Sequence, residues 1–141
     1  MKKTMFFVVV ALLSIFTISS CSKEIRKKNI KVDITTSALS EGDNFLCTIA
    51  AASATGPKDL KVNGVTRSNE GAIILNKTDI VNNALTIETA ENAMMLVLTV
   101  GGTSDATPYT ITVKPTVKGS AKETTTFTVD SEGDSRNLTY Q

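Results

Sequence analysis

Residues 94–113 read MMLVLTVGGTSDATPYTITV, and the two halves of this stretch decide the fold. Before Gly101 the run Leu96, Val97, Leu98, Val100 is apolar and β-branched; after Pro108, Tyr109, Ile111 and Val113 alternate with Thr110, Thr112 and Lys114. Side chains two apart on an extended chain share a face, so the second half predicts a strand with one face buried and the other wet. The first half predicts a partner strand, with the glycines opening a loop between the two.

The same grammar extends in both directions. Upstream, Ile30, Val32 and Ile34 alternate with Lys31, Asp33 and Thr35, and Ser40-Glu41-Gly42-Asp43 has turn chemistry. Phe45, Cys47, Ile49 and Ala51 then share one face of a further strand. Gly56-Pro57 breaks the chain before Leu60, Val62 and Val65, with Asn63-Gly64 as a tight turn or bulge. Asn69-Glu70-Gly71 leads into Ala72-Ile73-Ile74-Leu75, and Asn82-Asn83 is a polar hinge before Leu85 and Ile87. Downstream, Pro115 lacks an amide donor and is expected at a strand end or a sheet edge. Phe127 and Val129 repeat the period of two, and Asn137 to Tyr140 reads as a short extra strand or a loose tail.

Short strands at this spacing, abundant threonine and no long runs of helix-favouring residues predict an all-β sandwich of about seven to eight strands. The chain has 141 residues, of which 41% are hydrophobic and 21% charged, enough for one modest core over residues 30–141. Cys47 lies within the apolar period and is expected to pack as a small core residue.

Met1 to Ser20 carries Lys2 and Lys3, an apolar core from Met5 to about Ile18, and small residues at its end, which are the parts of a cleaved secretory signal. Two of the 15 basic residues fall in this leader, leaving 13 against 14 acidic ones in residues 21–141, a poor balance for binding nucleic acid. The run Ile18-Ser19-Ser20-Cys21 resembles the lipobox of bacterial lipoproteins, those of the Bacteroidota among them. That resemblance implies cleavage before Cys21, acylation of its sulfur, and a membrane anchor made of two or three chains. Ser22 in place of aspartate favours the outer membrane, with the periplasmic and surface faces both open. Residues 21–29 then form a lipidated cysteine and basic tether.

A second resemblance lies in the body. Glu41-Gly42-Asp43 before Leu46-Cys47-Thr48, and Asp105-Ala106-Thr107-Pro108-Tyr109-Thr110-Ile111, resemble the two core-cysteine strands of immunoglobulin-like domains. The resemblance implies that Tyr109 is a corner tyrosine bonded to the main chain near Asp105. Ile111 stands in the second cysteine's place, so the bridge would be replaced by an apolar contact between Cys47 and Ile111.

Candidate chemistry is sparse. Histidine is absent, so a serine or cysteine nucleophile lacks its usual base, and no enzyme activity is expected. No cofactor is implied. Asp130, Glu132 and Asp134 offer three carboxylates to calcium, against the plainer reading of a solvated turn. Asn76-Lys77-Thr78 and Asn137-Leu138-Thr139 fit the glycosylation triplet, a use that a bacterial leader makes improbable. For glycan binding the mature chain offers only Phe45, Phe127, Tyr109 and Tyr140 as aromatic platforms, and three of these are expected in the core. The function expected is therefore an envelope module, anchored by lipid, that contacts envelope or cell-surface proteins, with a glycan- or calcium-binding accessory role as the alternative. Sandwich edges suit such contact because strand addition binds through main-chain groups.

Overall fold

A computed structural model describes residues 29–68, 70, 72–89 and 93–141; the leader, Cys21 and most of the tether lie outside them. The described residues form two antiparallel sheets. The first contains β1 (Ile30–Thr36), β4 (Leu60–Val62), β5 (Val65–Arg67), β7 (Ala84–Thr89), β9 (Tyr109–Val117), β10 (Ser120–Ala121) and β11 (Thr125–Val129). The second contains β2 (Asn44–Ser53), β3 (Gly56–Pro57), β6 (Ile73–Asn76), β8 (Met95–Thr103) and β12 (Asp134–Tyr140). Across the first sheet the order is β10-β9-β1-β7-β4-β5, with β11 also on β9; across the second it is β12-β8-β2-β3, with β6 also on β2. The all-β sandwich expected from the alternation is the observed fold, and eight of these strands are at least four residues long.

The two sheets meet through the alternate residues that the sequence marks. Ile30, Val32 and Ile34 of β1 face Phe45, Cys47 and Ile49 of β2 within one core that also holds Leu96, Leu98, Val100, Tyr109, Ile111 and Val113. Burying such side chains, at roughly 25 cal/mol per Å² of apolar surface, is what holds the layers together. Cys47 and Ile111 come from opposite sheets and are both fully buried.

Three two-residue turns have both central residues at positive φ: Asn63-Gly64 (49° and 83°), Asn82-Asn83 (51° and 60°) and Lys118-Gly119 (53° and 77°). They close the pairs Val62–Val65, Val81–Ala84 and Val117–Ser120. Turns of this type match the right-handed twist of the strands they join.

Two expectations are corrected by the fold, and one left open is decided. Gly101 and Gly102 do not open a loop; both lie inside β8, which runs on to Thr103. Pro115 is at neither a strand end nor a sheet edge but inside β9, opposite Val32 of β1. Its carbonyl accepts from the Lys122 amide at 2.9 Å, so its nitrogen faces the same side, in the gap between the pairings of β10 and β11 with β9, where no ladder donor is needed. Of the two readings of the carboxyl-terminal residues, the extra strand is the one observed: β12 begins earlier than Asn137 and pairs with β8 from Asp134 to Tyr140.

Candidate binding surface

One end of the sandwich is tied by Tyr109. Its ring is buried at the start of β9, and its hydroxyl donates to the Asn44 carbonyl at 2.5 Å. The acceptor is on β2, in the other sheet, so the bond joins the two layers, whereas the resemblance had placed it near Asp105. Gly102 makes this approach possible: a Cβ there would lie 1.9 Å from the Asn44 oxygen and 2.1 Å from the Tyr109 hydroxyl. That is why a glycine interrupts an otherwise apolar strand.

Asp105 takes part through its amide, which donates to Asp43 Oδ1 at 2.9 Å, while the Ser40 amide donates to Asp43 Oδ2 at 2.7 Å. These amide bonds, that of Asp105 first, hold the Asp43 carboxyl below its ordinary range, with the Lys77 charge adding to them. Burial, and then the Asp43 charge, push the Tyr109 hydroxyl up to about 12.

The two shifts have opposite signs in pH. A lowered carboxyl contributes stability above its ordinary value of 3.8, lost as pH falls through the lower folded value; a raised phenol contributes stability below 10.0, lost as pH rises toward 12. Melting temperatures scanned against pH should therefore fall at both extremes. Tyr109→Phe should flatten part of the alkaline limb, Tyr140 supplying the rest because burial raises it too.

The other candidate residues stay apart. The Cys47 thiol is fully buried and pushed up to about 12 by desolvation, so it packs and does not react. Asp130 Oδ1 accepts from the amides of Glu132 and Gly133 at 3.0 and 3.2 Å, which closes the turn before β12. Asp134 pairs instead with Arg136, the first cause of its lowered pKa, and accepts from the Ser135 amide at 2.7 Å. Asp130, Glu132 and Asp134 are thus not brought together, and among the described residues no three His, Cys, Asp or Glu side chains could hold a metal ion. Asn76 caps the single turn of 3-10 helix at Lys77–Asp79, and Asn137 lies on β12.

The surface that does emerge is the outer face of the second sheet. The register places Leu46 beside Gly101 and Asn76, Thr48 beside Thr99 and Ile74, Ala50 beside Val97, and Asn44 beside Thr103. β12 continues these rows with Ser135, Asn137 and Thr139. None of these outward residues is charged. The outer face of the first sheet, by contrast, carries Lys31, Asp33, Lys61, Glu88 and Lys114, several of them directly opposite one another. Leu46 and Ile74, diagonal neighbours on the second sheet, are 48% and 67% exposed. A shallow groove of about 560 Å³ crosses this face over Gly101, between Thr48 and Thr99 on one side and Asn44 and Thr103 on the other, with Asp134, paired to Arg136, as the charged residue in its lining. β12 ends the sheet, with no strand beyond it among the described residues.

Chemically this surface offers hydroxyls, amides, two exposed aliphatic side chains and main-chain groups, which suits contact and not proton transfer. The sequence contains its signal, since every outward position of β2, β8 and β12 lacks charge. Those positions become one surface only once the strands are known to be neighbours.

No protein-family model and no curated protein matches the sequence. Solved structures do. The calcium-bound form of a protein from Parabacteroides distasonis, determined by NMR, aligns with a TM-score of 0.65 at 17% identity, over 82% of this chain and 93% of that one. The crystal structure of a domain of unknown function, DUF4425, from Bacteroides vulgatus aligns with a TM-score of 0.60 at 16% identity, over 83% and 96%. A DUF4425 family protein from Bacteroides ovatus gives 0.58 at 16%, over 81% and 94%. This chain therefore shares its all-β sandwich, over nearly the full length of each neighbour, with proteins of the Bacteroidales; at these identities the likeness is one of fold.

Proposed function

We propose that this protein is a lipid-anchored, non-catalytic module of the bacterial envelope that binds a protein partner through the outer face and open β12 edge of its second sheet. The observation that carries the reading is the lack of charge across the outward rows of that face, where the one charged residue of the groove, Asp134, is paired with Arg136, set against five charged residues on the opposite face. An uncharged face with exposed Leu46 and Ile74 loses little on desolvation, and an edge strand offers unpaired amides and carbonyls to an added strand. The resemblance of Ile18 to Cys21 to a lipobox supports the anchor, and the Bacteroidales origin of the fold neighbours agrees with it. The outer membrane is the site we favour, and the body is read as immunoglobulin-like on Cys47, Tyr109 and Ile111.

Two variants test the two halves of the proposal. Metabolic labelling with an alkynyl fatty acid should mark the wild type and not Cys21→Ser; equal labelling of both refutes the anchor. Thr99→Lys puts a charge at the centre of the face on an exposed position. It should reduce co-purification of the partner by about tenfold, the effect of roughly 1.4 kcal/mol, while leaving the melting temperature unchanged. Undiminished co-purification would remove the face from the reading.

A second reading, an accessory protein that binds calcium, is favoured by the calcium-bound state of the Parabacteroides distasonis neighbour. Calorimetry decides it: no heat on adding calcium and no thermal shift would set it aside.

A further inference from the structure

Lys77 is held in place by its neighbours. It opens the 3-10 turn after β6, where Asn76 Oδ1 accepts from the Thr78 amide at 2.9 Å and Asp79 Oδ2 accepts from the Asn76 amide at 2.8 Å. This reciprocal cap fixes the direction in which residue 77 leaves the backbone. Its ammonium reaches the turn between β1 and β2 and donates to three main-chain carbonyls: Ser40 at 2.5 Å, Glu41 at 2.7 Å and Asp43 at 3.5 Å. An ammonium has three donors and no acceptor, and here each donor has an oxygen.

The receiving turn does not depend on the lysine for its shape. Asp43 closes it by accepting from the Ser40 amide, donating its own amide to the Ser40 carbonyl at 3.3 Å, and gripping the Asp105 amide with its other oxygen. Three carbonyl oxygens converging on one positive point, beside a carboxylate, form the environment that hard cations seek in proteins. We infer that the turn of residues 40–43 is a cation cradle that this protein fills with its own Lys77 ammonium, and that removing that side chain leaves a site for a small cation such as potassium or ammonium.

The test is chemical rescue in the full-length protein held in detergent. In tetramethylammonium chloride, whose cation is too large for the cradle, Lys77→Ala should melt on the order of 5 °C below the wild type. Replacing that salt with potassium or ammonium chloride at equal ionic strength should recover about half of the loss or more in the variant, through mass action, and leave the wild type unmoved. If Lys77→Ala melts with the wild type, or if no cation reverses its loss, or if tetramethylammonium reverses it equally well, the inference is overturned. Should the variant fail to fold on expression, its refolding yield in potassium against tetramethylammonium reads the same question with the same outcomes.

Discussion

Gly102→Ala should cost about 3 kcal/mol, the upper end of what overpacking does to a core, and lower the melting temperature by roughly 10 °C or more. The added Cβ would sit 1.9 Å from the Asn44 oxygen and 2.1 Å from the Tyr109 hydroxyl, and neither can retreat. The first belongs to the main chain of β2 and the second to a buried ring. Two other glycines serve as controls. At Gly42 a Cβ would lie 2.3 Å from Asp105 Oδ2, which can turn aside, but also 2.7 Å from Asp105 Cβ, which moves only with its backbone, so alanine there should cost less than at Gly102 without being neutral. At Gly101 it would meet Asp134 and Ser135 on the edge strand β12, which can shift, so the effect should be intermediate. Tyr109→Phe alone should cost about 1 kcal/mol, the net value of one hydrogen bond. Combined with Gly102→Ala it removes one of the two clashing partners, so the double variant should be less unstable than the sum of the singles. Additive losses in denaturant titrations would mean that the two residues do not share one contact.

Phe45→Ala should be comparably severe, at about 3–5 kcal/mol. Phe45 is fully buried one position after Asn44, so the cavity it leaves would open directly behind the bond between Tyr109 and β2. Its neighbours cannot easily collapse into the gap, because Cys47 and Ile49 are held in register with β8 and β6 by the ladders on both sides of β2. Equilibrium unfolding followed by circular dichroism checks the size of the loss. A loss near 1 kcal/mol would show that this end of the sandwich is loosely packed.

Much of the fold was legible in the alternation. Ile30, Val32 and Ile34, then Phe45, Cys47 and Ile49, then Tyr109, Ile111 and Val113 are strand faces by their period alone, and all are buried. What escaped depends on contacts between distant residues. Gly101-Gly102 carries the local signature of a loop, and only the approach of β12 to Gly101 and of Tyr109 and Asn44 to Gly102 explains it as strand. The acceptor of the Tyr109 bond is a main-chain carbonyl, which leaves no mark on residue type. Pro115 likewise looks like an edge residue until the gap between β10 and β11 is known. The acidic run from Asp130 to Asp134 offered either a ligand set or a solvated turn, and in the fold the turn amides take the Asp130 carboxylate while Arg136 takes that of Asp134.

The uncharged face was hidden for the same reason. Leu46, Thr99 and Asn137 are far apart in the sequence and share no local signal there, and sheet order makes them neighbours. Their shared lack of charge is a property of the assembled sheet, and the functional reading rests on it.

The most direct measurement is photo-crosslinking in intact cells from a benzophenone side chain placed singly at Leu46, Ile74, Lys31 or Lys114. The first two lie on the uncharged face and the last two on the charged one. One discrete crosslinked partner is expected from Leu46 and Ile74 and none from Lys31 or Lys114. The same partner captured equally from both faces, or captured only from the lysine positions, would contradict the functional reading.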